Sequence, residues 1–249
     1  MVLAIESGQL MTCASFTEEV VEMRYQIHSH RNALEVLENV PGYMQLWSEL
    51  RTVIDSVTDA RLRAHYETNH QSSGKAVKSL SQSINSLLKE GLLASAWNAE
   101  SKIFSDPLYS QDRSSAKWRL DFSKNLVLSD DPFHNELEPT VGISVEVAFN
   151  NDGSTAWNLI KPVLAGELNH VEKETQTGLG VIITATENLK RAGGFDSAIG
   201  TFESFKLHLR PMRDILTIPI LLIGLEPMDS FRMDVRKTDK GNRGFIVDL

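Results

Sequence analysis

Hydrophobic residues follow two periods along this chain, and the shorter period predicts a set of strands. Residues 141–149, VGISVEVAF, alternate between apolar and polar as a half-buried strand does. Residues 179–184, LGVIIT, and 218–224, IPILLIG, are continuous apolar runs of the length that buried strands have. Two more strands are predicted within residues 17–27 and at 118–122, WRLDF, and we expect the latter to pair with residues 141–149.

The longer period predicts helices between these strands. A first helix is expected to start after Ser29 and to stop before Pro41, because proline disfavours helical geometry in the residue that precedes it. Further helices are predicted over residues 43–57, 75–91, 155–170 and 197–209. The polar segments 68–74 and 105–116 predict irregular connections.

Strands that alternate with helices along most of the chain predict an α/β fold, a central mixed β-sheet flanked by helices. We expect residues 1–249 to form a single domain without internal repeats. Within it we expect an N-terminal helical portion at about residues 28–100, a core with the candidate site at about 118–225, and a basic C-terminal arm at about 230–249.

Composition narrows the class of protein. With 41% hydrophobic residues the chain can build a real core, and its longest apolar stretch, residues 215–225, is too short to span a bilayer and contains Pro219 and Gly224. The first residues include Glu6 and lack a basic leader, which disfavours a secretory signal, and the single cysteine, Cys13, cannot form an internal disulfide. We therefore expect a cytoplasmic protein without a membrane segment.

The formal net charge of −8 disfavours one class of nucleic-acid-binding protein. Proteins that coat nucleic acid without sequence preference usually carry a strongly basic balance. A net-acidic enzyme can still present a local basic cleft, so binding to DNA at a defined site remains compatible with this charge.

Two carboxylates stand out on strands that are predicted to be neighbours. Asp121 lies in the short strand 118–122, and Glu146 lies between two valines, where an unpaired charge would be costly to bury. Carboxylates on adjacent strands can hold a hard divalent cation for phosphodiester hydrolysis, with room for a water nucleophile. A structural or solvated role is the more frequent one for such a pair, and the residues alone leave both interpretations open.

Several segments, in order, resemble type II restriction endonucleases of the BglII and BstYI kind, part of the PD-(D/E)XK nuclease superfamily. RLDF at 119–122 and VEVAFNN at 145–151 match the family's acidic strand and the E-V-Q-F run on its next strand. The remaining matches are YQIHSHRNALEVL followed by LWSEL near the N-terminus, LGVIIT at Leu179 and IPILLIGL at Ile218. The resemblance covers most of the chain from about Tyr25 to Leu225 and implies the restriction-endonuclease-like core.

The resemblance also implies roles for individual residues. Asp121 and Glu146 would be the catalytic, metal-binding carboxylates, helped by the carbonyl of Val147, and the metal would be Mg²⁺. Glu100, in AWNAESK, falls near where similar enzymes carry a further acidic or amide residue. An exposed helical or loop glutamate is the competing interpretation of Glu100.

Two departures from the family pattern affect the site. Ala148 stands where relatives carry Lys, Gln or Glu to orient or deprotonate the attacking water, and a methyl group can do neither. Activity is therefore either reduced, as in a variant made for crystallisation with DNA, or maintained by another polar group such as Ser144 or Lys161. The segment between the two carboxylate strands is also longer than in close relatives, which makes Asp130 and Asp131 alternative ligands.

The segment after the second carboxylate is the first candidate for DNA contact. In similar enzymes this junction reaches base edges, which would assign that task to Asn150, Asn151 and Ser154. An asparagine amide can pair bidentately with adenine in the major groove. A plain turn followed by a helix cap is the alternative, because Asn, Asp and Gly dominate ordinary turns.

Basic residues late in the chain are the second candidate. Arg236, Lys237, Lys240 and Arg243 surround a glycine-containing segment and are expected to form an arm against DNA phosphates. A solvated helix face explains an earlier basic group equally well. This group consists of Lys190, Arg191, Lys206, Arg210 and Arg213. His28 and His30 are expected to be structural rather than metal ligands.

Taken with the family, these features predict a symmetric homodimer that cleaves a short palindromic duplex site and leaves 5′-phosphate ends. The helix at residues 157–168 is a candidate dimer interface, with ordinary core packing as the alternative. A cognate DNA methyltransferase is the expected functional partner. The alternative functions are a site-specific DNA-binding dimer that does not cut, which Ala148 makes credible, and another nuclease on the same core for repair or junction resolution.

Overall fold

A six-stranded mixed sheet forms the centre of the protein. The computed structural model describes residues 22–71, 77–105, 118–128, 140–167, 170–239 and 241–249. The strands are β1 (Tyr25–His30), β2 (Asn98–Lys102), β3 (Arg119–Val127), β4 (Thr140–Val147), β5 (Leu179–Ala185) and β6 (Ile220–Leu225). Their order in the sheet is β1-β6-β5-β4-β3-β2, with β4, β5 and β6 parallel and the other pairs antiparallel. The predicted mixed sheet is confirmed.

Helices cover both faces of this sheet. The described helices are α1 (Ala33–Asn39), α2 (Pro41–Asp55), α3 (Asp59–Tyr66), α4 (Ser81–Ala94), α5 (Thr155–Gly166), α6 (Glu187–Ala192) and α7 (Phe202–Leu209). On one face, Leu50 of α2 and Ile84 of α4 share a buried cluster with Val145 of β4. On the other, Leu159 of α5 and Phe205 of α7 pack with strand residues such as Ile182. The expected single-domain α/β arrangement is confirmed.

The C-terminal residues form a hairpin that the sequence analysis did not predict. Strands β7 (Phe231–Thr238) and β8 (Gly241–Asp248) pair with each other in a separate two-stranded sheet. Phe231 and Met233 are buried in the main core, and the backbone N–H of Gly244 donates to the carbonyl of Val77 at 2.9 Å. The predicted arm is therefore a hairpin with one side packed against the domain.

Several predicted boundaries are corrected. The first helix ends before Pro41, as predicted, but the second begins at Pro41 and not at residue 43, because the missing N–H of proline costs nothing in the first turn. One extended residue, Val40, separates α1 from α2. The segment predicted to be irregular at 68–74 contains a π-helical turn, Glu67–Gln71. The helix predicted from 75 begins at Ser81 and runs past Gly91. Residues 17–21 and 106–116 lie outside the described residues.

Two predicted helices are shorter than expected. The helix predicted over 155–170 ends at Gly166, and the one predicted from 197 begins at Phe202, where Thr201 and Ser204 form a capping box. None of the helices among the described residues combines the length and the apolar character that crossing a membrane requires.

Candidate active site

The two candidate carboxylates meet at one edge of the sheet. Strands β4, β5 and β6 are parallel, so their carboxyl ends lie together, and in open α/β sheets ligands bind outside such ends. Glu146 is near the carboxyl end of β4. Because β3 runs antiparallel to β4, with Phe122 opposite Val145, the start of β3 carries Asp121 to the same place. The predicted pairing of these two strands is confirmed.

Asp121 is held by the backbone of the strand that carries Glu146. Its Oδ2 accepts a hydrogen bond from the backbone N–H of Val147 at 2.8 Å. This contact holds the Asp121 carboxylate next to Val147, the residue that follows Glu146. A charge-assisted bond of this kind to a backbone amide is among the stronger hydrogen bonds in proteins.

Glu100 lies opposite Asp121 on the edge strand β2, not in a helix or loop. The β2–β3 pairing joins Ala99 to Phe122 and then Ser101 to Leu120, and it is interrupted between them. At this interruption Glu100 has φ of 52°, in the left-handed region that a non-glycine residue rarely adopts. Backbone strain of this kind concentrates at functional sites.

A cavity of about 220 Å³ opens at this interruption. Asp121 and Glu100 both line it, whereas Glu146 is not among its lining residues. The remaining lining residues are Asn85, Lys89, Ala99, Phe122 and Val147. Asn85 and Lys89 come from α4 and were not singled out in the sequence, where they are two polar positions on the exposed side of an amphipathic helix.

Glu146 is almost completely buried, with a side chain that is 1% exposed. Its Oε2 contacts Nζ of Lys161 on α5, whereas its Oε1 is buried without a hydrogen-bond partner among the described residues. Burial, and next the charge of Asp121, raise the pKa of Glu146 to about 8, whereas Lys161 and the backbone N–H of Asp121 oppose the shift. A buried oxygen without a partner is costly, which makes Oε1 a candidate ligand position.

Helix α5 approaches the sheet closely enough to bring Lys161 to Glu146. A Cβ atom at Gly180 of β5 would lie 2.6 Å from Cβ of Pro162, the residue after Lys161. Glycine is therefore needed at this position for the helix to pack where it does. The Lys161 side chain is only 10% exposed, so its ammonium group lies in the protein interior.

Ser144 and Lys161, the two candidates for replacing the missing polar group at position 148, have different contacts in the structure. Ala148 is 2% exposed and belongs to the apolar cluster between the sheet and α5. The hydroxyl of Ser144 donates to the backbone carbonyl of Leu179 at 3.3 Å. Ser144 thus has a structural partner, whereas Lys161 contacts Glu146 directly.

The ligand set for a metal is small within the part of the chain that is described. No group of three or more His, Cys, Asp or Glu side chains converges there on a common point. Asp121 and Glu146 would therefore need backbone carbonyl, water or phosphate oxygens to complete the coordination of a cation. The alternative ligands Asp130 and Asp131 lie outside the described residues.

The predicted DNA-contact residues after β4 form a turn. Oδ1 of Asn151 accepts from the N–H of Gly153 at 2.8 Å, as expected for an ordinary asparagine turn. Asn150 is exposed, and its Oδ1 accepts from the side-chain amide of Asn158 on α5 at 3.0 Å. Ser154 is the N-cap residue of α5 but makes no side-chain cap bond. The bond to Asn158 therefore holds the Asn150 side chain in one orientation, close to the carboxyl end of β4.

The predicted basic residues of the C-terminal segment lie on the hairpin. Arg236 pairs with Asp234 at 2.7 Å and lies over the ring of Phe245, which Arg243 also approaches. Lys237 is exposed. Lys240 lies outside the described residues. The hairpin thus displays an arginine-rich surface without forming part of the cavity at Asp121.

The earlier basic group divides between two places. Lys206, Arg210 and Arg213 line a cavity of about 560 Å³ together with His28 and His30. His30 Nε2 is bonded to the backbone carbonyl of Leu216 at 3.1 Å, which fits the structural role predicted for it. Lys190 and Arg191 bond to their own helix neighbours Glu187 and Asn188.

The candidate dimer helix, predicted at residues 157–168, packs mainly against the rest of its own domain. Leu159 and Val163 are buried against the sheet, and Ala165 packs in a third small cluster. Trp157 is half-buried and stacks edge-on with Trp118 at 5.3 Å. Core packing, the alternative to an interface, accounts for these residues.

Comparisons with known proteins agree with this fold. No curated protein was found that matches the sequence. Among solved structures, the crystal structure of restriction endonuclease BglII complexed with a DNA 16-mer matches with a TM-score of 0.52 and 17% identity, over 91% of this chain and all of that one. The crystal structure of free BglII matches with a TM-score of 0.42 and 16% identity over the same shares.

A family model supplies the stronger match. The model described as restriction endonuclease BglII/BglIII matches residues 25–225, which contain the whole six-stranded sheet and the site around Asp121 and Glu146. This range agrees with the extent of the resemblance in the sequence. The chain belongs to the BglII/BglIII family of restriction endonucleases.

Proposed function

We propose that this protein is an active type II restriction endonuclease that hydrolyses phosphodiester bonds of duplex DNA with Mg²⁺. The observation that carries the proposal is the meeting of Asp121 and Glu146 at the carboxyl edge of the sheet, where Glu146 keeps one buried oxygen without a partner. In a chain of a restriction-endonuclease family, such an oxygen is best explained by a metal ligand position.

The residues present fit a hard divalent cation. Mg²⁺ takes oxygen ligands and usually keeps several waters, so two carboxylates suffice as its charged ligands. The N–H of Val147 meets Asp121, and the N–H and C=O of one residue in an extended strand point to the same neighbour, so the Val147 carbonyl faces the same side. Asp121, Oε1 of Glu146 and the Val147 carbonyl would hold the cation.

When bound, Mg²⁺ would neutralise phosphate charge and increase the acidity of a water molecule for attack on phosphorus. The chain's own residues supply the geometry. The N–H of Val147 fixes Asp121, burial and Lys161 fix Glu146, and the cavity beside Glu100 gives space for a phosphate oxygen and the attacking water. Preorganised groups of this kind lower the barrier because they need no rearrangement during the reaction.

Recognition of a short palindrome by a homodimer forms part of the same proposal, because a two-fold protein matches a two-fold site and cuts both strands. Exposed Asn150 lies at the edge of the site and has an oriented amide, which suits reading of base edges. Arg236, Lys237, Lys240 and Arg243 would contact phosphates, with Asn151 and Ser154 shaping the turn. A cytoplasmic location and a cognate methyltransferase that protects the host's own DNA complete the proposal.

Digestion of a long duplex of known sequence tests the cleavage. We expect discrete fragments in Mg²⁺, none in a chelator, and none from Asp121→Asn at any Mg²⁺ concentration. Mapping of the fragment ends would give the recognition site and the ends produced. Uncut DNA with folded wild-type protein in Mg²⁺ and in Mn²⁺ would refute the proposal.

The replacement of the family's polar residue by Ala148 favours one other function, a dimer that binds a specific site without cutting. That function predicts tight and sequence-specific binding in a gel-shift experiment, with intact DNA at every metal concentration. Nicked or cleaved DNA from the wild-type protein would exclude it.

A further inference from the structure

We propose that Lys161 is the positioning residue of the cleavage site: its ammonium group occupies Oε2 of Glu146 and so presents Oε1 as the metal ligand. This inference rests on the proposed function and assigns to helix α5 a task that alanine at position 148, directly after strand β4, cannot perform. The relevant observation is a direct contact between Lys161 Nζ and Glu146 Oε2 in the interior.

The contact distinguishes the two oxygens of one carboxylate. Oε2 meets the ammonium group, and Oε1 is buried without a hydrogen-bond partner among the described residues. A carboxylate that is held through one oxygen has a restricted orientation, so the other oxygen points in a defined direction. The neighbouring carboxylate is Asp121, which follows from the register that pairs Phe122 with Val145 and which is fixed on the N–H of Val147.

The local sequence is built to allow the contact. Ala148, directly after β4, lies in the apolar cluster between the sheet and α5 and contributes only a methyl group there. Gly180 lets Pro162 approach the sheet, which carries Lys161 inward. Ser144, the other polar residue on the face of β4 that carries Glu146, is used by the carbonyl of Leu179. Lys161 is thus the one basic group among the described residues that contacts Glu146.

An ammonium group next to a metal ligand can act in two opposite ways. It can hold the carboxylate in the binding orientation, or it can compete with the cation for the carboxylate and repel it. Partners of metal ligands whose role is orientation typically contribute 10- to 100-fold to metal affinity or activity. The sign of the change in metal affinity on removal of the charge therefore separates orientation from competition.

The experiment compares Lys161→Met with Lys124→Met. Lys124 of β3 forms a half-buried pair with Glu49 of α2 and does not line the cavity at Asp121, so it serves as the control. Mn²⁺ affinity is measured by calorimetry on the folded variants, and cleavage by single-turnover digestion. We expect K161M to weaken Mn²⁺ binding and to slow cleavage about 10- to 100-fold, and K124M to change neither.

Each other outcome is decisive. Tighter Mn²⁺ binding by K161M would show that Lys161 competes with the cation, and unchanged affinity with a lowered melting temperature would show a structural role only; both overturn the inference. In the E146Q background K161M should have no additional effect. Should K161M fail to fold, Lys161→Gln is judged by the same criteria.

The experiments distinguish a wrong role for Lys161 from a wrong proposed function. If the wild-type protein cleaves DNA and K161M cleaves equally well with the same Mn²⁺ affinity, the function stands and the role of Lys161 falls. If the wild-type protein never cleaves, the function falls, while the calorimetric comparison still judges the role of Lys161.

Discussion

Two lysine–glutamate pairs lie on opposite faces of the same sheet, and they differ in how completely their polar atoms are satisfied. In the pair on the α2 face, Lys124 contacts Glu49 at 2.6 Å and also donates to the carbonyl of Ser95 at 2.8 Å. The Trp97 indole N–H donates to the same Glu49 oxygen at 3.2 Å. These side chains are 16% and 25% exposed, so solvent completes their hydrogen bonding.

The pair on the α5 face is drier and less complete. Lys161 and Glu146 are 10% and 1% exposed, and Oε1 of Glu146 has no partner among the described residues. The first pair is therefore built for stability, because every charge has a protein or solvent partner. The second leaves Oε1 of Glu146 without a partner in the described part of the chain, and this difference is the reason for proposing the metal ligand at Glu146 and not at Glu49.

The largest expected effect is the loss of cleavage on removal of a site carboxylate. Glu146→Gln and Asp121→Asn should each lower the single-turnover rate about 10³-fold or more, because a metal ligand supports several kcal/mol of transition-state stabilisation. Glu49→Gln is the matched control and should cleave at the wild-type rate once melting curves show that it is folded. Equal losses from Glu49→Gln and Glu146→Gln would break the distinction between the two pairs.

A third buried carboxylate sharpens the comparison. Asp59 is 7% exposed, and its Oδ2 accepts bonds from the N–H groups of Asp229 and Ser230 and from the Ser230 hydroxyl, each at 2.9 Å. Asp59→Ala should lower the free energy of unfolding by about 3 kcal/mol, because buried donors lose their acceptor. Urea denaturation measures this change. Cleavage per folded molecule should stay at the wild-type rate, and a loss of cleavage would contradict a purely structural role.

The next effect concerns pH. Because burial and Asp121 raise the pKa of Glu146 from 4.5 to about 8, the folded metal-free protein holds this proton more tightly than the unfolded chain. The stabilisation is fully present below about pH 4.5 and is lost as pH rises through about 8, so unfolding should become easier across this window. Glu146→Gln should flatten this part of the pH profile.

The same proton competes with the cation. Metal binding requires the ionised carboxylate, so the increase in melting temperature on addition of Mg²⁺ should be larger at pH 8 than at pH 6. Glu146→Gln should show no such difference. An Mg²⁺ effect that is independent of pH in the wild-type protein would place the cation away from Glu146.

The smallest effect is expected from the satisfied pair. Lys124→Met should lower the free energy of unfolding by about 1 kcal/mol, since both partners of the pair reach solvent and exposed pairs contribute little. Chemical denaturation at neutral pH measures it. A destabilisation as large as that of Asp59→Ala would show that solvent does not replace the lost contacts.

The sequence predicted the parts of the fold that apolar periodicity controls. Strands β4, β5 and β6 and the pairing of β3 with β4 follow from apolar alternation and apolar runs, and these strands position Asp121 and Glu146. Strand β2 was missed because NAESK is polar: it is an edge strand that is stabilised by a single neighbour. The hairpin was missed as well, although Phe231 and Met233, two residues apart, carry the alternation of a half-buried strand.

The site was predictable only as far as single strands determine it. Asp121 and Glu146 follow from the resemblance in sequence, but their contacts depend on how α5 packs on the sheet. Lys161 reaches Glu146 because Gly180 allows Pro162 to approach, and no local pattern reports this tertiary arrangement. The same holds for Asn85 and Lys89, which reach the cavity from α4.

The central claim is that the buried, unpaired oxygen of Glu146 is a metal ligand position shared with Asp121. Anomalous scattering from a crystal soaked in Mn²⁺ tests it most directly. We expect one strong peak within coordination distance of Asp121, Glu146 Oε1 and the Val147 carbonyl, and no peak in the isomorphous Glu146→Gln crystal. A wild-type crystal with Mn²⁺ bound only elsewhere, or with no peak at these two carboxylates at saturating Mn²⁺, would contradict the account.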